Sequence, residues 1–241
     1  MESKKKVISI IQAHMSSTRL PGKVMKDIMG MPALYRMIER VRQSKLVDDI
    51  VIATSTKECD DVIIEACEKW GVKTFRGSDS DVLSRYWGAA KQYPADYYIR
   101  QTSDCPLIAI EETDKLVEFF LENNYRYAHH KGLPGGCGAE IFTAELLDEA
   151  MEKADKPYEH EHVTPYMYWE QDSIGEWFYK EDASHYRITL DTPEDYQAIC
   201  AVYEALYKPG NSFTVDEMVA FLKEHPEVVA INSMIVQKKV R

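Results

Sequence analysis

The strongest constraint on the fold is an alternation repeated through the first hundred residues. A short β-branched run is followed by a break and then by an amphipathic stretch. Val7–Ile11 (Val-Ile-Ser-Ile-Ile) is the first run, apolar at all but one position. A strand of that kind is buried on both faces, as in a parallel sheet. Ile50–Ala53, Val72–Phe75 and Tyr97–Gln101 read as three more strands. Between them, Ala33–Gln43 places Leu34, Met37, Ile38 and Val41 on one helical face. Asp60–Trp70 is a second helix, stopped by Gly71, and Val82–Lys91 a third. Such alternation calls for parallel strands joined by right-handed crossovers. The expected class is α/β, a Rossmann-like three-layer α/β/α arrangement with a mostly parallel sheet.

The second half is less regular. Ile110–Asn123 and Ala144–Lys153 read as helices, and Tyr125–His129 and Glu140–Phe142 as strands around the loop Leu133–Gly138. Pro157–Glu170 is expected to include a helix over the site. Ile174–Tyr179 and Tyr186–Leu190 read as strands, and helices at Pro193–Leu206 and Val215–Glu224 follow. No repeat, low-complexity tract or linker divides the 241 residues, so a single domain is expected.

Composition excludes several classes. No apolar run approaches the roughly 20 residues that span a bilayer, and the Lys-rich start leads into too short an apolar run for a secretory signal. A cytoplasmic protein with no membrane partner is expected. Five scattered cysteines without a Cys-x-x-Cys suggest reduced thiols rather than disulfides or zinc. A net charge of −11 argues against nucleic acid. Residues 1–45 nevertheless hold ten Lys/Arg against three Asp/Glu. That balance suits local anion binding, although Arg36, Arg40, Arg42 and Lys45 also fit a solvated helix face.

After the first strand the chain breaks into Ser16-Ser17-Thr18-Arg19-Leu20-Pro21-Gly22-Lys23. A loop on the C-terminal edge of a first strand sits where open α/β sheets bind ligands. Small residues there let backbone N–H groups approach a guest, and two cations suit a polyphosphate. The order differs from a P-loop, which ends in Gly-Lys-Ser/Thr. Two aspartates, Asp104 and Asp191, stand at the ends of expected strands and can converge on that edge. Magnesium takes one or two carboxylates and fills its shell with water and phosphate oxygens. In Asp191-Thr192-Pro193-Glu194-Asp195, Thr192 suits an N-cap, Pro193 the first helical turn and Asp195 the capping-box position. Asp191 lies outside that cap. Either aspartate taken alone also fits a solvated strand end.

The order of these motifs resembles the sugar-activating cytidylyltransferases, the SpsF-like spore-coat polysaccharide proteins above all, with the Kdo and acylneuraminate enzymes related. Ser-Ser-Thr-Arg-Leu-Pro-Gly-Lys matches their nucleotide loop. Arg100–Pro106 and Leu190–Asp195 resemble their two aspartate segments, and Arg76–Asp79 with Val82–Tyr86 the segment near the nucleotide. Glu161–Tyr166 is similar to an SpsF-like signature placed near the acceptor. The resemblance implies a nucleotidyltransferase fold with a nucleotide-binding half at 7–109 and an acceptor-binding, metal-completing half at 110–241. It implies transfer from CTP to a sugar or sugar acid with release of pyrophosphate, magnesium as cofactor and a homodimer. Arg19, Lys23, Asp104 and Asp191 become the catalytic set, with Asp104 and Asp191 on the metal. Gln12, Ala13, His14, Ser16, Ser78, Asp79 and Thr102 join Arg19 and Lys23 around the nucleotide. Glu140, His162, Tyr166 and Arg187 are candidates for the acceptor; for Glu140 and Arg187 ordinary ion pairing fits equally.

One position departs from the pattern. The family usually has arginine where this chain has His14. Arginine is a permanent fork of donors, whereas an unperturbed histidine is half charged only near pH ~6.5. Two other readings stay open. A metal-dependent glycosyltransferase would use Asp79-Ser80-Asp81 as an Asp-x-Asp motif, a triplet that also suits a helix cap. A non-catalytic nucleotide-binding homologue would explain His14. The pairs His129-His130 and His160/His162 lack the i, i+4 spacing of zinc ligands.

Overall fold

The computed structural model describes residues 4–169, 173–209 and 213–236. Its strands are β1 (Val7–Gln12), β2 (Asp27–Ile28), β3 (Met31–Pro32), β4 (Asp49–Ser55), β5 (Lys73–Gly77), β6 (Tyr97–Thr102), β7 (Tyr127–Lys131), β8 (Glu140–Thr143) and β9 (Gly175–Phe178). The first-half helices are α1 (Ala33–Val41), α2 (Asp61–Trp70) and α3 (Val82–Gln92). In the second half come α4 (Ile110–Asn123), α5 (Ala144–Lys153), α6 (Pro157–His162) and α7 (Pro165–Trp169). The last are α8 (Pro193–Leu206), α9 (Val215–Glu224) and α10 (Pro226–Ala230). The expected helix over Pro157–Glu170 is thus two short helices, and Glu170 lies outside the described residues.

Seven strands form one sheet in the order β5-β4-β1-β6-β8-β7-β9. Period-2 alternation makes the three layers. Val7 and Ile11 of β1 face a core with Leu34, Met37, Ile63 and Phe120 from α1, α2 and α4. Ile8 and Ile10 face the other side, with Leu83 and Ala89 of α3 and Leu146 and Leu147 of α5. Burying one such isoleucine contributes about 2 kcal/mol, so a one-residue slip of β1 would exchange both faces at prohibitive cost. A third core joins α8 and α9 to Tyr186, Ile188 and Leu190.

The sheet is mostly parallel. β8 is the exception, antiparallel to both β6 and β7. Tyr186–Leu190, expected as a strand, is not one; its ladder is a single bridge from Arg187 to Gly135. The reason lies in Gly136, at φ 100°, where a Cβ would stand 2.8 Å from the Ile188 carbonyl oxygen. The glycine turn presses against this segment and takes its hydrogen bonds: Gly135 N–H donates to Tyr186 and Ile188 N–H to Gly135. Beyond it, Leu190 N–H donates to the Asp104 carbonyl at 2.7 Å. That bond brings the ends of two distant segments side by side. The β2–β3 hairpin and α10 had no counterpart in the expected elements. No helix among the described residues is long and apolar enough to cross a membrane.

Candidate active site

The loop after β1 is tied down at both ends. Ala13 N–H donates to the Ala53 carbonyl at 3.1 Å, and Gly22 N–H to Met15 at 3.0 Å. Met15 N–H donates at 2.7 Å to Asp60, a fully buried carboxylate that also accepts from the Ser55 hydroxyl at the end of β4. Asp60, expected only to start a helix, is therefore the anchor of the loop. Gly22, at φ 68°, turns the chain into a single 3-10 turn at Lys23–Met25, a conformation that glycine adopts freely. Lys23 follows it inward and is only 6% exposed.

Lys23 Nζ lies 2.9 Å from Asp104 Oδ2 and 2.8 Å from Asp191 Oδ1. Both expected metal carboxylates thus converge on one cation. Asp191 Oδ2 also accepts from Arg19 at 2.9 Å and from Arg187 at 3.1 Å. Burial alone would lower the Lys23 ammonium; the two carboxylates outweigh it and hold it above the usual lysine range. Burial likewise opposes the Asp104 charge, but Lys23 and hydrogen bonds from Thr102 and Cys105 keep that carboxyl below its ordinary value. Both partners are charged, and an ammonium already stands where two hard carboxylates meet. Among the described residues no cluster of three or more His, Cys, Asp or Glu could hold a metal alone. Two carboxylates fit magnesium, whose remaining shell is water and phosphate oxygens, and here both oxygens of Asp191 are taken by Lys23, Arg19 and Arg187.

The capping box at Thr192 forms as expected, with Asp195 at its third position. Asp195 does more than cap. It is fully buried and takes the Arg187 guanidinium through Nε and Nη2, both at 2.8 Å. Arg187, a candidate for the acceptor, is thereby placed behind Asp191.

Around the nucleotide candidates, His14 Nδ1 lies 3.0 Å from Ser16 Oγ. Burial and the nearby Lys23 push the His14 imidazole below its ordinary value. At neutral pH it is uncharged. Gln12 ends β1 with its Oε1 buried and without a protein partner among the described residues, an acceptor left for a guest. Arg85, buried, donates to the Ser78 carbonyl at 2.5 Å and shapes the turn that carries Ser78 and Asp79. Asp79 pairs with Lys57 at 2.6 Å. Asp81 caps α3 by accepting from Ser84 N–H at 2.9 Å and also meets His160 at 3.0 Å. The Asp-x-Asp triplet is therefore a helix cap.

Of the other acceptor candidates, Glu140 stands opposite Arg100 in the β6–β8 register. It accepts from Arg100 at 2.5 Å, Tyr127 at 2.6 Å and Thr164 at 2.8 Å. Burial opposes its charge, and these three donors, Arg100 first, hold it below the ordinary glutamate range. His162 is close enough to sense both charges, while burial lowers its imidazole. Tyr166 is buried and donates to Glu149 on α5 at 3.0 Å; the structure does not bring it to the carboxylates. Arg100 escaped notice because a charged residue inside a strand gives no sign of its partner 40 positions away.

The cytidylyltransferase family pattern matches residues 8–218. The chain is 39% identical to the uncharacterized protein MJ1063 of Methanocaldococcus jannaschii, over 98% of both chains. It is 34% identical to the spore coat polysaccharide biosynthesis protein SpsF of Bacillus subtilis, over 92% of this chain and 95% of that one. A solved cytidylyltransferase from Leptospira borgpetersenii superposes with a TM-score of 0.88 at 33% identity, covering 98% of this chain and all of the other.

Proposed function

The chain belongs to the cytidylyltransferase family, and on that footing we propose that it joins CTP to a sugar or sugar acid for surface-polysaccharide synthesis. The acceptor's hydroxyl oxygen bonds to the α-phosphorus and gives up its proton to solvent as the bond from that phosphorus to the α–β bridging oxygen breaks. Pyrophosphate leaves with the electron pair. The observation that carries this reading is Lys23 held between Asp104 and Asp191 beside the loop that bears Arg19.

Asp104 and Asp191 would hold magnesium, which would offset charge on the triphosphate. Arg19 and Lys23 exchange their carboxylate partners for β- and γ-phosphate oxygens and stabilise the departing pyrophosphate. Both cations are within reach of that exchange, because each side chain is anchored in the same short loop. Burial and Lys23 lower the His14 imidazole in the free chain, so Arg19 and Lys23 supply the permanent charge for phosphate binding. A cytoplasmic homodimer belongs to the same reading, and light scattering would test the dimer.

Thermal unfolding with CTP, UTP, GTP, ATP and dTTP, each with and without magnesium, tests the assignment. A ligand at ~100 times its dissociation constant stabilises by about 2.7 kcal/mol. A shift selective for CTP with magnesium is expected, followed by pyrophosphate release with the right acceptor. Stabilisation by UDP- or GDP-sugars instead would overturn the reading in favour of a glycosyltransferase. CTP binding without pyrophosphate release across a broad panel of acceptors would point to a non-catalytic homologue.

A further inference from the structure

We infer that Asn232 is a positioning residue that fixes the Asp191 carboxylate for its metal, an inference that rests on the proposed function. Three cations touch Asp191, and they differ in what they are free to do. Lys23 and Arg19 come from the nucleotide loop, and Arg19 is one-third exposed. In the proposed reaction both turn to phosphate, so neither can orient Asp191 while a triphosphate is bound. Arg187 can.

Arg187 is locked in a fork on Asp195, with Nε and Nη2 at 2.8 Å, and the same Nη2 reaches Asp191 Oδ2 at 3.1 Å. Asp195 in turn accepts from Asn232 Nδ2 at 2.8 Å. The Asn232 amide also donates to the Arg187 carbonyl at 3.0 Å. A relay therefore runs Asn232–Asp195–Arg187–Asp191, and Asn232 is 4% exposed.

Helix capping does not account for it. The cap of α8 needs the Thr192 hydroxyl and the bonds from backbone N–H groups to Asp195, which the chain supplies locally. Asn232 arrives from 37 residues later and adds nothing to that cap. Its amide satisfies Asp195 Oδ1, which it shares with Arg187 Nε. Without it, a buried carboxylate oxygen loses a donor and draws harder on the guanidinium, pulling the fork away from Asp191. Arg187 stands one step behind the metal ligand, where partners fix its orientation, and Asn232 holds Arg187 in place through Asp195. A cavity of about 160 Å³ borders both Arg187 and Asn232, so a changed side chain at 232 has space beside it.

The test compares wild type with Asn232→Leu, which keeps bulk and removes the amide, and Asn232→Gln, which keeps an amide. Mn2+ binding is followed by electron paramagnetic resonance with CTP present and no acceptor. Thermal stability and stabilisation by CTP without metal are measured alongside. Asn232→Leu is expected to weaken Mn2+ by up to about 10-fold, the low end for a group that touches a metal ligand directly, with CTP stabilisation unchanged and Asn232→Gln recovering part of the loss. A lower melting temperature with Mn2+ affinity within twofold of wild type would overturn the inference and leave the proposed function standing. Wild-type protein that binds no Mn2+ with CTP would overturn both.

Discussion

The two sides of the candidate site hold their charges in different ways. On the nucleotide side, Lys23 and Arg19 rest on carboxylates that a metal would claim as a triphosphate took the two cations, so those pairs can be exchanged. On the side built from β6, β7 and β8, Arg100 and Glu140 neutralise one another, and Tyr127 and Thr164 both donate to the second oxygen of Glu140. One side is arranged to trade partners; on the other the carboxylate is satisfied, while the buried Arg100 Nε has no partner among the described residues. Charge can recruit a ligand only where partners are exchangeable, and the Arg100–Glu140 pair offers no net charge.

The largest expected effect falls on the exchangeable side. Asp191→Asn should lower pyrophosphate release about 1,000-fold, the scale on which lost electrostatic stabilisation registers in catalysis. CTP alone should still stabilise the variant. A loss below tenfold in a steady-state assay would mean that Asp191 belongs with the satisfied residues.

Glu140→Gln tests the other side. It leaves the partly buried Arg100 guanidinium without its counter-charge, which should cost about 3 kcal/mol of folding stability in a urea titration, the low end for a buried pair. A loss under 1 kcal/mol would show the pair to be exchangeable after all.

Next comes His130, on β7 behind Glu140. Burial pushes its imidazole down to about 4, and it is held neutral because Nδ1 accepts from Ala139 N–H at 2.9 Å. Nε2 then donates to the Glu112 carbonyl at 3.0 Å. Between the unfolded value near 6.5 and the folded value near 4, the unfolded chain binds the extra proton. Stability is therefore present above pH ~6.5 and lost as pH falls toward 4, by up to about 3 kcal/mol. Urea titrations at pH 7 and pH 4.5 should show this loss, and His130→Gln should flatten the slope.

Asp81→Ala should have the smallest effect, about 1 kcal/mol for a lost helix cap. The magnesium requirement for pyrophosphate release should not move. A raised requirement would return Asp81 to the metal and revive the glycosyltransferase reading.

Local patterns carried the first half well. α1 and α3 begin where Ala33 and Val82 open their amphipathic stretches, and Gly71 ends α2 in the left-handed region. Asp104 was legible as a carboxylate just past a strand and Thr192 as a cap, whereas the strand expected to carry Asp191 is not one. What stayed hidden depends on contacts between distant segments. Tyr186–Leu190 has the composition of a strand, yet Gly136 claims its backbone. Glu140 and Arg187 fitted acceptor binding and ion pairing equally, because their partners, Arg100 and Asp195, are set by sheet register and by a cap that faces inward. Asn232 gave no local sign at all, since its role exists only once α10 has brought the chain back to Asp195.

Lys23 touches carboxylates 81 and 168 positions further along the chain. A growing polypeptide can complete the β1 loop and its neighbouring strands while Asp191 is still unmade, and contacts this remote in sequence close late. Until then the lysine has at most one of its two carboxylates. A chain that works as proposed therefore takes much of its shape during synthesis before both carboxylates of its site exist.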